Sequence, residues 1–391
     1  MQVENIPHAL VSDIDARIAE LVAKYSVYDP ETLCSTEIGD EYVAEAQKLL
    51  TELEMAIKKL SMAQEPTMRA STPLAQCIYM SFTNNVFVPQ RTCWTVGGEL
   101  RETLFWPNQS NVPPQAVMLL IPGNPGLVDF YIDFCTTLHK EFPDMDIIGV
   151  SHLGHTRFSD NRGLVYRCKK THSLEEQVAN MVQVFDEIDR EYAASTNRPK
   201  MLILGHSVGC YFAQKIVEYR ESRVDRVFGL FPAIESIADT PRGRQLRLMF
   251  RPGFRHFVAG VVETLRWLLP VSAIYSLSQM SGSLNNENAQ LVVDKMLFSS
   301  CVKSVLRMAS DEMRVIGRLD EELYSRVGNK FVMYYGVGDQ WVPESHYRRM
   351  RDINVDGKVM LCKEGISHAF VTNYSAQMAA IVVDMLKQEL A

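Results

Sequence analysis

The most informative segment of this chain is Met201-Leu202-Ile203-Leu204-Gly205-His206-Ser207-Val208-Gly209. Its apolar half predicts a buried strand, and Gly-x-Ser-x-Gly directly after a strand is typical of a nucleophile elbow, a sharp strand-to-helix turn that exposes a serine. We expect both glycines because a Cβ at either position would meet neighbouring backbone. Residues 210–217 follow without Gly or Pro and predict the elbow helix. The alternative is a glycine-rich turn in an ordinary α/β protein.

Strands and helices alternate on both sides of this segment. An antiparallel pair is expected at 93–97 and 100–106, and helices are expected at 130–142, 174–192 and 376–390. Apolar runs typical of strands buried on both faces lie at 116–121, 147–150, 201–204, 227–230 and 331–335, with a final strand at 358–362. This alternation predicts an α/β fold whose mostly parallel sheet carries helices on both faces.

Two regions depart from the alternation. Residues 1–72 are rich in Glu, Lys and Ala with apolar residues at helical spacing, which predicts an N-terminal helical extension ahead of a main domain at 85–391. We expect this extension to pack on the main domain or on a protein partner, and a targeting or coiled-coil role is the alternative.

The second region, about 233–326, shows no convincing strand and predicts a helical insertion placed like a lid. Its apolar part is interrupted by Glu263 and Arg266 and bent at Pro270. Apolar faces flanked by basic residues suit a lipid surface. The flanking arginines are Arg242, Arg244, Arg247, Arg251, Arg255 and Arg266. Burial of the apolar face on the protein itself remains the alternative.

A serine nucleophile needs a base, and the base needs a group that orients it. In this architecture the order along the chain is Ser, acid, His. Asp339 follows the strand after the insertion, and His368 follows the last strand. Both positions belong to the sheet edge at which the elbow opens. We therefore predict a Ser207-Asp339-His368 triad. Alternative acids are Glu235 and Asp239, and Asp129 is expected to be a helix N-cap.

An oxyanion hole needs two backbone N–H groups that converge on the developing charge. We assign one to Val208, next to the nucleophile, and the other to Asn124 in the glycine-rich loop 121–126. Pro125 has no N–H to donate. A tight turn without this role is the alternative. We expect His206 to pack under the elbow, whereas His152 and His155 should line the rim of the site.

The composition excludes several other functions. A net charge of -7 and a pI near 5.8 argue against nucleic-acid binding. The 8 cysteines are scattered without a zinc-like spacing, so we expect reduced thiols, no metal and no nucleotide cofactor. The N-terminal residues show no secretory signal, and no apolar window is long enough for a membrane-spanning helix.

Several motifs together resemble the lipid droplet-associated hydrolases, serine lipase- and esterase-like members of the α/β-hydrolase superfamily. The Pro-Gly-Asn-Pro-Gly loop is the most specific of them, and the resemblance covers about residues 100–391. The motifs are Ile121-Pro122-Gly123-Asn124-Pro125-Gly126, Phe130-Tyr131, Ser151-His152-Leu153-Gly154-His155, Gly205-His206-Ser207-Val208-Gly209, Phe231-Pro232-Ala233-Ile234-Glu235, Tyr334-Tyr335-Gly336, Asp339-Gln340-Trp341-Val342-Pro343 and Ile366-Ser367-His368-Ala369-Phe370.

This resemblance implies a serine ester hydrolase that acts on cholesteryl esters or acylglycerols. It implies a location at the lipid droplet surface and the cytosolic face of the endoplasmic reticulum, with attachment through the lid. It also implies that Ser207, Asp339 and His368 are the catalytic residues. The extension at 1–72 departs from the family pattern. A second hypothesis is a catalytically weak or inactive droplet-coating protein with the same fold, and an acyltransferase or haloperoxidase on the same elbow is a third.

Overall fold

The computed structural model of the chain describes residues 89–390, except 111, 160–164, 167–169, 194–196, 248, 251, 281–284 and 355. The helical extension predicted at 1–72 lies outside these residues. The described part is built around one eight-stranded sheet, with a separate short hairpin. The strands are β1 (Gln90–Val96), β2 (Glu99–Trp106), β3 (Ala116–Ile121), β4 (Met145–Val150), β5 (Phe158–Ser159), β6 (Val165–Tyr166), β7 (Lys200–His206), β8 (Arg226–Leu230), β9 (Phe331–Gly336) and β10 (Lys358–Cys362).

The large sheet has the strand order β1-β2-β4-β3-β7-β8-β9-β10. Strand β2 pairs antiparallel with both β1 and β4, and all the pairings from β4 to β10 are parallel. The parallel strands inside the sheet are apolar and buried along almost their whole length because helices cover both faces, whereas the edge strand β10 is only partly buried. The predicted α/β-hydrolase fold is therefore confirmed.

Some helices cover the two faces of the large sheet, and the others form the insertion. They are α1 (Ile132–Glu141), α2 (Leu174–Ala193), α3 (Val208–Arg220), α4 (Pro241–Leu246), α5 (Pro252–Leu268), α6 (Val271–Met280), α7 (Asn286–Leu291), α8 (Ser299–Val315), α9 (Glu321–Val327), α10 (Glu344–Ile353) and α11 (Ser375–Leu390). One apolar core lies between the sheet and helices α2 and α3, and a second lies between the sheet and helices α1 and α11. The predicted helices at 130–142, 174–192 and 376–390 correspond to α1, α2 and α11, with ends shifted by one or two residues.

Helices α4 to α9 form the insertion between β8 and β9, and its described residues include no strand, as the sequence predicts. Helix α5 packs along α8, which in turn contacts α2 of the main domain. None of the helices in the described ranges combines the length and the apolar character that a transmembrane span requires.

Asp129 is not the helix cap that the sequence suggested. Its side chain caps no helix and instead accepts hydrogen bonds from Arg91 (2.5 Å) and from Lys295 of the insertion (2.9 Å). Glu102 of β2 binds the same two cations. This cluster of two buried acids and two partly exposed bases joins the insertion to the main sheet. Because it requires residues distant in sequence to meet, local capping rules could not predict it.

Candidate active site

Ser207 lies at the turn between β7 and α3. Its backbone angles, φ 54° and ψ −121°, fall in a region that side-chain-bearing residues rarely adopt. Two glycines permit this turn. A Cβ on Gly205 would lie 2.7 Å from the Gly209 carbonyl oxygen, and a Cβ on Gly209 would lie 2.2 Å from the Ile121 carbonyl oxygen. The elbow therefore requires glycine at both positions for lack of space.

The structure brings the three predicted triad residues into one hydrogen-bonded chain. His368 Nε2 lies 2.9 Å from Ser207 Oγ, and His368 Nδ1 lies 2.7 Å from Asp339 Oδ2. An ionised Asp339 accepts from Nδ1–H, which leaves Nε2 free to accept the serine hydroxyl hydrogen. The arrangement can therefore activate the serine by general-base catalysis.

The surroundings of Asp339 keep it ionised. Burial acts to raise the pKa of Asp339, but the His368 ring and two backbone N–H groups outweigh it, so the pKa lies below its ordinary value. Those N–H groups belong to Trp341 and Val342, at 2.7 and 3.0 Å from Oδ1. The remaining oxygen, Oδ2, is thus left to orient His368.

The alternative acids lie elsewhere. Glu235 binds Arg349 at 2.5 Å, and burial raises the pKa of Glu235 to about 7. Asp239 belongs to a short 3₁₀ turn at Ile237–Asp239. Neither makes a hydrogen bond to His368 within the described structure.

His206 packs under the elbow. Burial lowers the pKa of His206 to about 3, so its ring is neutral. Tyr131 Oη accepts from the Gly123 N–H at 2.9 Å and lies 2.6 Å from His206 Nδ1. The Tyr131 hydroxyl therefore donates to Nδ1, and His206 Nε2–H donates to the His368 carbonyl at 2.9 Å. This series of buried hydrogen bonds connects the backbone of Gly123 to the backbone of His368, the candidate base.

The predicted oxyanion loop lies directly against the elbow. A Cβ on Gly123 would stand 3.2 Å from Ser207 Cβ. The Val208 N–H is among the first of α3, which have no partner within their helix. Among the described residues, the Asn124 N–H makes no hydrogen bond either. The Asn124 side chain, by contrast, is held by helix α8, through the Val305 carbonyl at 3.2 Å and Glu312 Oε1 at 2.8 Å.

The prediction that His152 and His155 line the rim is wrong. Both are buried behind the oxyanion loop, and His152 stacks on Phe212. His152 Nε2–H donates to the Pro122 carbonyl at 3.0 Å, and His155 Nδ1 accepts from the Gly126 N–H at 3.0 Å. Burial lowers the pKa of His152 to about 3. These rings support the loop from inside and do not line the site.

Sequence reasoning did not identify two residues that shape the site. Tyr131 belongs to the Phe130-Tyr131 motif, which does not itself indicate a contact with the elbow. Glu312 is one of two adjacent acids on an amphipathic helix, so no local signal distinguishes it. Within the described residues, no group of three or more His, Cys, Asp or Glu side chains is arranged to hold a metal ion.

Comparisons with known proteins agree with this architecture. A family model described as lipid-droplet associated hydrolase matches residues 114–371. The lipid droplet-associated hydrolase of Gallus gallus is 28% identical over 291 residues, covering 72% of this chain and 88% of that protein. The Homo sapiens protein of the same name is 28% identical over 302 residues, covering 73% and 88%. Among solved structures, a thermophilic esterase from Thermogutta terrifontis is similar in fold, with a TM-score of 0.50, 14% identity, and coverage of 77% of this chain and 100% of that one.

Proposed function

The chain belongs to the lipid-droplet associated hydrolase family, and on this basis we propose that it is a serine hydrolase that cleaves lipid esters, such as cholesteryl esters or acylglycerols. The observation that carries the proposal is the continuous chain from Ser207 Oγ through His368 to Asp339, with contacts of 2.9 and 2.7 Å. A protein without turnover gains nothing from holding these three side chains in that order.

In the proposed mechanism, His368 Nε2 takes the Ser207 proton while Oγ attacks the ester carbonyl carbon. The Val208 and Asn124 N–H groups stabilise the negative charge that develops on the carbonyl oxygen. His368 then returns the proton to the departing alcohol, which leaves an acyl group on Ser207. Water, deprotonated by His368, attacks this acyl-enzyme and releases the fatty acid, and Ser207 regains its proton.

The outer surface of the insertion supports attachment to lipid. Helix α5 exposes large apolar side chains, with Trp267 82% and Phe257 65% exposed. Further exposed apolar residues are Val261, Leu265, Leu268 and, in α6, Val271. Contiguous apolar surface of this kind is typical of an interaction site. We propose that this face docks on the lipid droplet surface or the cytosolic face of the endoplasmic reticulum.

One of the arginines expected to flank that surface is directed inward instead. Arg266 Nη1 donates to the Val293 carbonyl at 2.8 Å, and its guanidinium lies 4.0 Å from the centre of the Phe298 ring. Arg266 therefore helps to hold α5 on the rest of the insertion. Arg266 is thus not available to lipid head groups, whereas Arg242, Arg244 and Arg247 are exposed on and beside α4.

A fluorophosphonate probe tests the catalytic proposal. The wild-type chain should be labelled and should hydrolyse a short acyl ester, whereas Ser207→Ala should do neither. Ser276→Ala is the matched control, because Ser276 is exposed on α6 and bonds only within its helix, to the Ser272 carbonyl. Full labelling of Ser207→Ala would contradict the assignment. A panel of cholesteryl and glyceryl esters then identifies the substrate class.

The exposed apolar face equally favours a second function, a droplet-coating protein without turnover. In that case the wild-type chain coats droplets but is not labelled, and Ser207→Ala changes no cellular effect. Deleting residues 251–280 should remove droplet binding under both functions, so the two are separated by labelling and not by binding.

A further inference from the structure

The Asn124 side chain links the oxyanion loop to the insertion. Asn124 directs its amide nitrogen at helix α8 and donates to the Val305 carbonyl at 3.2 Å and to Glu312 Oε1 at 2.8 Å. Asn124 and Glu312 are 188 residues apart in the chain. The same residue carries the backbone N–H that we assign to the oxyanion hole.

Helix α8 is a fixed support for this contact. Asp311, the residue before Glu312, accepts the Leu174 N–H at the start of α2 at 3.2 Å. It also accepts from Arg307 at 3.0 Å and from Arg314 at 3.1 Å along its own helix. The two neighbouring acids therefore attach α8 to the main domain at two places, one at α2 and one at the oxyanion loop.

The Asn124–Glu312 contact is a hydrogen bond from the Asn124 amide N–H to the buried Glu312 carboxyl, at 2.8 Å. Asn124 Oδ1 is buried and has no hydrogen-bond donor among the described residues. Burial raises the pKa of Glu312 to about 8, so most of its carboxyl groups are protonated at neutral pH. A protonated carboxyl still accepts through its carbonyl oxygen, which is what the Asn124 amide N–H requires. Glutamine offers the same carbonyl acceptor in a similar volume.

We propose that Glu312 is a positioning residue that fixes Asn124 from the insertion and so directs the Asn124 backbone N–H at the substrate oxygen beside Ser207. The proposal rests on the proposed hydrolase function. Glu312 does not touch substrate. Its effect passes through Asn124, and the lid insertion thereby supplies part of the geometry of the oxyanion hole.

The test compares Glu312→Leu, Glu312→Gln and Asn124→Ala in the full chain, with a soluble short acyl ester as substrate. Glu312→Leu should lower kcat by about 10- to 100-fold, somewhat less than the loss of a whole oxyanion donor, and should leave KM within about twofold. Glu312→Gln should restore kcat to within about threefold of wild type, because it preserves the pair. Glu322→Leu is the matched control, since Glu322 is an exposed glutamate on α9 of the same insertion.

A double-variant cycle makes the test independent of general damage to the fold. Asn124→Ala retains the backbone N–H and should lose kcat to a similar extent. Glu312→Leu combined with Asn124→Ala should be no slower than the slower single variant. The proposal is overturned if Glu312→Leu retains wild-type kcat, if Glu312→Gln is as slow as Glu312→Leu, or if the two losses multiply.

Labelling by the fluorophosphonate probe separates this proposal from the proposed function. If the wild-type chain is labelled at Ser207 and Glu312→Leu equals wild type in kcat, only the positioning role is wrong. If the wild-type chain is neither labelled nor active, the hydrolase function fails and the positioning role fails with it. Thermal melting of each variant shows whether the compared proteins are folded.

Discussion

Removing the two largest exposed apolar side chains of α5 should release the protein from lipid. Trp267 and Phe257 are 82% and 65% exposed. With side-chain areas of about 250 and 200 Å², they present about 330 Å² of surface to solvent. At about 25 cal/mol per Å², full burial in lipid would contribute about 8 kcal/mol. A helix that lies at the interface buries about half of this area, so Trp267→Ala with Phe257→Ala should weaken binding by about 4 kcal/mol. We therefore expect the affinity to fall by at least about 100-fold.

Co-flotation with phospholipid-coated triolein droplets measures this effect. The matched control is Tyr219→Ala, because Tyr219 is 56% exposed but lies on α3, outside the insertion. The control should float like wild type, and the double variant should remain in the aqueous fraction while it still hydrolyses a soluble ester. Equal flotation of wild type and double variant would refute the assignment of this face, as would an equal loss in Tyr219→Ala.

Three further outcomes follow from the buried polar contacts. Asp339→Asn should lower kcat by about 10⁴-fold with little change in thermal stability, since the His368 ring loses its orienting carboxylate; steady-state kinetics beside a melting curve checks both. Lys295→Met should cost about 3 kcal/mol of unfolding free energy, because it leaves two buried acids with Arg91 as their remaining cation; urea denaturation measures the loss, and an unchanged midpoint would contradict it. Glu312 has a pKa of about 8 in the folded protein, above the ordinary value of 4.5. The folded state therefore holds a proton that the unfolded state releases, and the stabilising contribution of that proton, complete below pH 4.5, is lost as the pH rises to 8. The Glu312→Gln variant should lack this loss in denaturation curves between pH 5 and 9, and parallel curves for the two proteins would contradict the assignment.

The sequence predicted the fold because its strongest signals are local. Apolar runs identify strands buried between two helical layers. The need for glycine at 205 and 209 arises from backbone atoms at the elbow and the adjacent strand end. It also predicted that Asp339 and His368 lie near Ser207, since the carboxyl ends of parallel strands meet at one edge of a sheet. The hydrogen bonds from Asp339 to His368 and from His368 to Ser207, at 2.7 and 2.9 Å, follow from that topology.

Other features could not be predicted because they depend on contacts between distant segments. His152 and His155 follow a strand end, as exposed rim residues would, and only the packing of the oxyanion loop over them makes them buried. Asp129 precedes a helix, as a cap would, but Arg91 and Lys295 compete for its carboxylate. Glu312 gains its partner only when the insertion folds onto the loop. Charge and burial at such positions depend on tertiary structure.

The two sides of the oxyanion loop are held by different parts of the protein. Gly123 is fixed from the main domain, through the Tyr131 hydroxyl and the neutral His206 ring, to the carbonyl of His368. Asn124, the next residue, is fixed from the insertion by Glu312. The α8 contacts of Glu312 and Asp311 do not involve Ser207 or His368, so a displacement of α8 would change the support of Asn124 and the Asp311 contact at α2 without removing the Ser207–His368 hydrogen bond. Because the same insertion carries the apolar face of α5, which packs along α8, the proposed lipid contact and the proposed support of Asn124 belong to one structural element. Under the proposed function, the main domain supplies the nucleophile and its base, and the insertion contributes to the stabilisation of the transition state through Asn124.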